Sequence, residues 1–324
     1  MLEVGGEISK TFLLSAVGGY VVFPIILSLV TSLAILKFFP DFLKRDKGHQ
    51  ISPYFLWIVI AIYGTIFGVM SVLRYFSLHN AFLDFGAFDW VVWNIAEKGD
   101  FSLLAFGHFS PVLMLYALFY RLCSSGVILL VAQTTAICLS ALPLYYIARD
   151  KLKSSYYALL IVIIYFLYSP VQYNNLFGFH TDHLIILIMF FGFYFLGKRN
   201  AIAFVLVCLL GLSIKEPLML SMAAMGLYAI IGHRMYKSGS IVLGVSLLFF
   251  FLMTNTILPQ TTGSSYGGGS EGIFSYLGSS VFEMGKTLIS QPWIILQEMM
   301  SAWKIGYLAF ILFPLLLVPL VSPL

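Results

Sequence analysis

Long apolar runs recur along this chain and end at clusters of basic residues, and this pattern restricts the fold more than any other feature. The runs lie at about 12–36, 54–73, 126–148, 155–170, 184–196, 201–214, 218–231, 240–258 and 303–322. An apolar run of about 20 residues can cross a bilayer as a helix. Of all residues, 60% are hydrophobic and only 10% are charged. The sequence therefore predicts an all-α, polytopic transmembrane helical bundle with about nine spans.

Basic residues are concentrated in four short loops between these runs. The loops hold 11 of the 18 lysines and arginines but only three of the 14 acids. Their basic residues are Lys37, Lys44, Arg45, Lys47, Arg149, Lys151, Lys153, Lys198, Arg199, Arg234 and Lys237. The positive-inside rule makes these loops cytoplasmic, with the N-terminus outside and the C-terminus inside. The first run lacks a preceding basic segment and a cleavage pattern, so it is predicted to be an anchor in the cell membrane.

Three apolar segments are too short to cross a bilayer. The segment 111–120 is interpreted as re-entrant or interfacial. At about 1.5 Å per residue, the runs 184–196 and 201–214 reach only about 20 Å, against a hydrocarbon core of about 30 Å. Their non-cytoplasmic ends are expected to stop below the membrane surface and to border a cavity.

The stretch from Arg74 to Pro111 is the first place where acids, histidines and tryptophans meet. Its apolar residues recur at spacings of one and three, which predicts an amphipathic external loop helix. Asp84 and Asp89 fall on opposite borders of the apolar stripe, about 140° apart at about 100° per residue. They could share one ligand only if the helix bends, and Gly86 would allow that. The alternative interpretation is an interfacial helix whose acids simply face water.

Four groups of polar residues are predicted to reach the same outer face. They are Asp84 with Asp89, His108, the turn with His180, Asp182 and His183, and Lys215 with Glu216. Ionisable residues at the edge of a membrane are costly to place, so their convergence predicts a functional site.

Each group also has a simpler interpretation. His180 and His183 are three residues apart and could bind a metal, or could be hydrogen-bonded interfacial histidines. Lys215 and Glu216 could only neutralise each other at a helix end, before Pro217. The sequence leaves these alternatives open.

Several of these motifs, taken in order, resemble those of a family of predicted bacterial and archaeal membrane proteins of unknown function that is grouped with the GT-C glycosyltransferases. The motifs are Arg74, Asp84–Phe85–Gly86, Phe88–Asp89, Trp93, the HFSP sequence at 108–111, Phe179–His180 and Lys215–Glu216. The resemblance covers residues 74–324, interpreted as a GT-C-like membrane domain, and residues 1–73 are interpreted as N-terminal anchor spans. Because the family continues beyond the final SP motif, the domain is expected to be truncated at the C-terminus.

The chain departs from the family pattern at three places. Gly107 stands where the family usually has an acid, and Thr181–Asp182 where it usually has Pro-Glu. Pro217 stands where an acid often follows Lys-Glu. The first change removes a potential ligand, the second keeps a carboxylate, and the third weakens a polar network.

The resemblance implies an inverting transferase that takes a sugar from a polyprenyl-phosphate donor outside the cytoplasmic membrane. It also implies that an acid in the first external loop acts as a base or helps to hold a divalent metal ion. Asp84 and Asp89 match that acid, and Asp84, His180 and His183 are the candidate metal ligands. Membrane lipids and the lipid-linked sugar are the expected partners, and a nucleic acid is not.

The residues themselves fit this chemistry. A carboxylate can act as a general base on an acceptor hydroxyl, and Lys215 or Arg74 can neutralise a leaving phosphate. Phe85 and Trp93 lie one turn on either side of Asp89 and are expected to raise its pKa, which favours Asp89 as the catalytic carboxylate and Asp84 as its supporting partner. His108, His180, Asp182 and Glu216 are predicted to complete the substrate-binding site.

Two other classes of protein remain as alternatives. A membrane transporter would carry polar or broken helices at mid-membrane and an internal repeat. A non-catalytic lipid-binding membrane protein would fit the three departures from the family pattern and the expected truncation.

Overall fold

A computed structural model of the protein describes residues 50–79, 82–262, 276–278, 280–300, 302–312 and 315. Over these ranges the chain is helical and forms no β-strand. It divides into two compact units, one of residues 48–289 and one of residues 1–47 with 290–324. The predicted first span at 12–36 and the basic residues Lys37, Lys44, Arg45 and Lys47 lie outside the described residues. The last predicted run, 303–322, is described only in part.

The larger unit contains most of the helices. They are α1 (Tyr54–Phe76), α2 (Phe82–Lys98), α3 (Leu113–Tyr120), α4 (Val127–Leu152), α5 (Ser155–Leu167), α6 (Ser169–Leu176), α7 (Leu184–Gly197), α8 (Ala201–Gly211), α9 (Glu216–Ile231), α10 (Tyr236–Leu252), α11 (Leu258–Thr262) and α12 (Val281–Ser290), which ends at the boundary. A π-helical turn, Met253–Ile257, joins α10 to α11. Short 3₁₀ turns lie at Phe101–Ala105 and Thr181–His183.

The smaller unit contains α13 (Trp293–Met299) and α14 (Ala302–Leu312). Lys304 Nζ lies 2.7 Å from Glu298 Oε2, so an ion pair joins these two helices. Because both side chains are partly exposed, solvent screens the pair and it contributes little to stability.

Three described helices are long and apolar enough to cross a membrane: α1, α4 and the continuous stretch Tyr236–Gln260. A fourth span is formed if α5 and α6 are counted together, but these helices are bent by 50°. Tyr168 between them is extended, and Pro170 lies in the first turn of α6. Proline has no N–H and its ring clashes with a preceding turn, so a straight helix cannot continue there. The predicted span at 155–170 is therefore a bent pair, and the count of nine spans stays a prediction.

The short runs form short helices, as the sequence predicts. Helix α3 has eight residues, α7 has 14 and α8 has 11. At about 1.5 Å per residue, α7 and α8 are about 21 Å and 17 Å long, below the thickness of the hydrocarbon core.

Tight turns connect the helices at the predicted cytoplasmic end. Lys153, Arg199 and Arg234 each adopt a left-handed backbone conformation, with φ between 53° and 56°. This conformation ends a helix by turning its next peptide back onto the last carbonyls. The side chain of Asn200 then accepts a hydrogen bond from the Ala203 amide and starts α8. The basic loops at Lys153, Arg199 and Arg234 are therefore short turns.

Three apolar cores hold the larger unit together. One joins α1, α4, α5 and α6 around Ile137 and Val162. A second joins α2, α3 and the first turns of α4 around Val92 and Leu129. A third joins α7, α8, α9 and α10 around Met222. The second core includes the apolar face of α2, the helix that carries Asp84 and Asp89.

Helices α9 and α10 approach each other through two glycines. A Cβ atom on Gly226 would lie 2.6 Å from the backbone nitrogen of Leu243, and one on Gly239 would lie 2.7 Å from the carbonyl oxygen of Gly226. Both clashes involve backbone atoms, which cannot rotate away as a side chain can. Close packing at small residues of this kind is common between membrane helices. The two helices therefore form a tight hairpin.

Candidate active site

Helix α2 confirms the predicted helix in the stretch 74–111, and its apolar stripe is buried. Phe85, Val91, Val92, Ile95 and Ala96 are all less than 9% exposed and pack onto α3 and the start of α4. Removing this apolar surface from water stabilises the helix at about 25 cal/mol per Å². The stripe thus fixes the rotation of α2 about its axis and the directions of its two acids.

Asp89 lies at the half-buried border of the stripe. Its Oδ1 accepts a hydrogen bond from the Tyr120 hydroxyl at 2.8 Å. A Cβ atom on Gly126 would lie 2.9 Å from this oxygen and 2.7 Å from Phe85 Cζ, so an alanine there would displace one of the two side chains. Burial raises the pKa of Asp89 above its ordinary value, and the hydrogen bond from Tyr120 opposes this.

Asp84 lies on the exposed border and makes a different contact. Its side chain is 61% exposed, and its Oδ2 lies 3.5 Å from His180 Nε2. Helix α2 runs without interruption through Gly86. The two carboxylates therefore have separate partners, Asp84 with His180 and Asp89 with Tyr120, as expected for a helix that does not bend between them.

The turn that presents His180 is held by a buried glutamine, Gln133, in the second turn of the apolar helix α4. Gln133 Nε2 lies 3.0 Å from the carbonyl oxygen of Gly178, 3.1 Å from that of Asn175 and 3.2 Å from that of Asn174. Its Oε1 accepts a hydrogen bond from the His180 amide at 3.2 Å. The Gln133 side chain therefore bonds to carbonyl oxygens and to an amide of this turn, which lack helical hydrogen-bond partners.

His183 is fully buried and its ring makes two hydrogen bonds. Its Nδ1 donates to the carbonyl oxygen of His180, so the Nε2 of the neutral ring accepts from the Tyr116 hydroxyl, at 2.9 Å. Both nitrogens are engaged, which matches the interpretation of this residue as a hydrogen-bonded histidine.

The predicted metal ligands are not brought together. Asp84 and His180 approach each other, but His183 points into the core. Within the described ranges, no three His, Cys, Asp or Glu side chains are grouped closely enough to hold a metal ion. These residues do not fit the expected divalent ion.

Lys215 and Glu216, at the start of α9, face two different loops. Lys215 Nζ lies 3.4 Å from Asp182 Oδ2, so Lys215 contacts the turn that holds His180, Asp182 and His183. Glu216 is fully buried, and its Oε1 lies 2.5 Å from His108 Nδ1. Its Oε2 accepts a hydrogen bond from the Phe109 amide at 3.1 Å. The two neighbours therefore do not simply neutralise each other.

Arg74 takes no part in these contacts. Its Nη2 donates to the carbonyl oxygen of His79 at 2.7 Å and closes the turn after α1. The structure shows a role for Arg74 in ordering this turn, and its predicted role in substrate binding stays a prediction.

Three residues that position the site were not singled out in the sequence: Tyr116, Tyr120 and Gln133. All three lie in apolar segments, where a polar side chain looks like an isolated exception. The signal that could have identified Gln133 is an uncharged polar side chain within a membrane run, because such a group must find hydrogen-bond partners inside the protein.

The chain can be assigned to a protein family, although no curated protein and no solved structure matches it. A family described as predicted membrane proteins, DUF2079, matches residues 74–324, from the end of α1 onward. This match includes every residue of the candidate site and most of the chain. The protein therefore belongs to the DUF2079 family of predicted membrane proteins.

Proposed function

We propose that this protein is an integral membrane glycosyltransferase that moves a sugar from a polyprenyl-phosphate donor to an acceptor on the non-cytoplasmic face. The observation that carries the proposal is the pairing of Asp84 with His180 and of Asp182 with Lys215 at one end of the bundle. Sugar transfer requires a base for the acceptor hydroxyl and a cation for the leaving phosphate. Both kinds of group are present at this end.

Asp89 is the proposed general base. A carboxylate with a raised pKa binds a proton more strongly than an ordinary one, which makes it a better base near neutral pH. The acceptor hydroxyl would lose its proton to this carboxylate as the bond from its oxygen to the sugar forms. The bond between the sugar and the phosphate breaks in the same step, and the polyprenyl phosphate leaves.

Lys215 is the proposed partner of the leaving phosphate. Its side chain is only 19% exposed, and its one charged partner among the described residues is Asp182, at 3.4 Å. A partly desolvated ammonium interacts with an anion more strongly than one in free water. Asp84 would hold His180 towards the donor as a supporting residue.

The direction of α4 supports the proposed side of the membrane. This helix begins at Val127, beside Asp89, and after 26 residues ends among Arg149, Lys151 and Lys153. Basic loops are retained on the cytoplasmic side. The site would therefore open outside, and the short helices α7 and α8 would give a lipid-linked donor lateral access to it.

A transporter is the second candidate, because the π-helical turn Met253–Ile257 lies within the apolar stretch Tyr236–Gln260, and such turns are frequent at functional sites. Thr254 and Asn255 of this turn make hydrogen bonds within their own helix, however. Thr254 Oγ1 donates to the Phe250 carbonyl oxygen at 2.7 Å, and Asn255 Nδ2 donates to that of Phe251 at 3.0 Å. Because these two side chains are engaged locally, the turn gives the transporter less support than the paired acids and cations give the enzyme.

The test is transfer of radiolabelled sugar by the complete protein in proteoliposomes. A set of polyprenyl-phosphate sugars is supplied with a cell-envelope extract as the source of acceptors, and label outside the donor lipid is counted. An enzyme transfers label from at least one donor, and Asp89→Asn stops the transfer. Label that crosses the membrane on an unchanged donor indicates a transporter. No change in any donor contradicts the proposed function.

A further inference from the structure

A cavity with charged residues in its lining is found at the other end of the larger unit from the candidate active site. It has a volume of about 440 Å³ and is lined by residues from three helix ends. Asp150 and Lys151 come from the end of α4, Tyr194 and Lys198 from the end of α7, and His233 from the turn after α9. It shares no residue with the candidate active site.

The charge around this cavity is predominantly positive. Lys151 and Lys198 line it, and burial together with the nearby charges of Lys151 and Arg199 lowers the pKa of His233. Asp150 is the acid in its lining, and its Oδ2 lies 2.7 Å from Lys198 Nζ. Since both of these side chains remain partly exposed, a second anion can reach the lysine.

The position of the cavity along α4 relates it to the membrane surface. Helix α4 is long and apolar enough to span a bilayer, and its last turn forms part of the cavity wall. Beside the cavity, the guanidinium of Arg149 lies 4.9 Å from the centre of the Tyr146 ring. Tyr146 and Phe193 are both nearly 40% exposed. Aromatic side chains exposed next to basic residues are typical of the headgroup region.

We propose that this cavity binds the phosphate group of an anionic phospholipid, with Lys151 and Lys198 as its cations. The phosphate lies between the two ammonium groups and competes with Asp150 for Lys198. The acyl chains lie against the exposed aromatic surface of Tyr146 and Phe193. Basic cavities between membrane helices suit such headgroups, because charge and depth match at once.

The simpler explanation is that these lysines serve only to retain the loops in the cytoplasm and to complement helix C-termini. Lys237 distinguishes the two explanations. It belongs to the same set of basic residues and is exposed, but it lies in the first turn of α10 and does not line the cavity. If only the general positive charge matters, loss of Lys237 and loss of Lys151 should weaken lipid binding equally. If the cavity binds the lipid, only loss of Lys151 should weaken it.

The experiment counts lipids bound to the complete protein in neutral detergent by native mass spectrometry. Phosphatidylglycerol, phosphatidylcholine and inorganic phosphate are titrated separately. Phosphatidylglycerol is expected to bind most tightly, and Lys151→Gln and Lys198→Gln to weaken its binding about fivefold each. Lys237→Gln is expected to leave binding unchanged. Equal binding of phosphatidylcholine, or an equal loss with Lys237→Gln, contradicts the site.

Asp150→Asn provides a test that misfolding cannot imitate. The change removes the competing carboxylate and keeps the side-chain shape, so phosphatidylglycerol is expected to bind more tightly. A loss of binding in this variant contradicts the proposed competition at Lys198. Inorganic phosphate that binds as tightly as phosphatidylglycerol shows that the cavity takes a free anion, and it overturns the assignment to a lipid.

Discussion

His108 Nδ1 and Glu216 Oε1 lie 2.5 Å apart, although 108 residues of chain separate them. The carboxylate is fully buried, while the imidazole is 45% exposed. Because Nδ1 faces the acid, the other ring nitrogen is directed away from it. This pair links the loop after α2 to the start of α9, and the Phe109 amide adds a second bond to the same carboxylate.

Removal of the His108 side chain should destabilise the protein, because the buried Glu216 carboxylate loses a hydrogen-bond partner. Among the described residues, His108→Ala leaves Glu216 with the Phe109 amide as its partner. A buried acceptor that loses its partner typically costs about 1–3 kcal/mol. His108→Gln should restore part of the loss, since its amide can donate a hydrogen bond. The thermal unfolding midpoint in detergent measures both changes. His79→Ala, at an exposed turn, is the control, and an equal midpoint for His108→Ala and His79→Ala contradicts the role of the pair.

The protonation of Asp89 should depend on Tyr120. Burial raises the pKa of Asp89 and the hydrogen bond from Tyr120 lowers it, so Tyr120→Phe should raise it further. A raised pKa means that protonation favours the folded state at low pH, and this contribution is lost as the pH rises through the raised pKa. The carboxyl band of isotope-labelled aspartate, with Asp89→Asn as the reference, reports the titration. A shift in the opposite direction in Tyr120→Phe would disprove the assignment.

The two acids of α2 should not be equivalent in sugar transfer. If Asp89 is the general base, Asp89→Asn should lower the rate by about 100-fold or more. Asp84 is exposed, and its contact among the described residues is with His180, so Asp84→Asn should lower the rate by about tenfold. Asp100→Asn keeps the exposed cap of the following turn and should have no effect. A greater loss with Asp84→Asn than with Asp89→Asn reverses the assignment.

Gln133 should control the order of the turn that carries His180. Gln133→Leu keeps the size of the side chain but leaves three carbonyl groups and one amide without their shared partner. The free energy needed to open the turn locally should then fall by about 1–3 kcal/mol, the usual cost for buried groups that lose a partner. The His180 amide should exchange its hydrogen correspondingly faster. Thr135→Ala, on the same helix, removes only a bond to the Val131 carbonyl oxygen and is the control. An unchanged exchange rate at the His180 amide contradicts the proposal that Gln133 orders this turn.

The orientation can be tested with a native thiol. Cys123 is exposed in the turn before α4, whereas Cys138 and Cys208 are buried. An impermeant maleimide applied to intact cells should therefore label the wild-type protein at Cys123 alone. In a Cys123→Ser background, Lys153→Cys should react only after the membrane is permeabilised. The reverse pattern would place the candidate site in the cytoplasm and exclude a donor in the outer leaflet.

The parts of the fold that depend on length and period were predictable. The stripe through Phe85, Val92 and Ile95 follows from their spacing, because burial of one helix face requires that period. The short lengths of α7 and α8 follow from the charged residues that end their runs. The bend at Tyr168 was not predicted, because the apolar run continues up to it. Pro170 is the residue in the sequence that signals the break.

The contacts within the site were only partly predictable. The charge pattern placed Lys215 and Asp182 at one end, but it could not show that Glu216 faces His108. That depends on the rotation of α9, which Met219 and Met222 determine by their burial in the third core. The hydrogen bond between Tyr120 and Asp89 could not be predicted either. Helix α3 has only eight residues, nearly all apolar, so its sequence does not show which face packs against α2.

The glycine contact between α9 and α10 has a mechanical consequence. Because backbone meets backbone at Gly226 and Gly239, the two helices cannot slide or rotate independently without a clash. Glu216 lies at one end of this hairpin, and His233 lies in the turn at the other end. The hairpin therefore moves as one rigid unit, and a tilt that displaces His233 must also move Glu216.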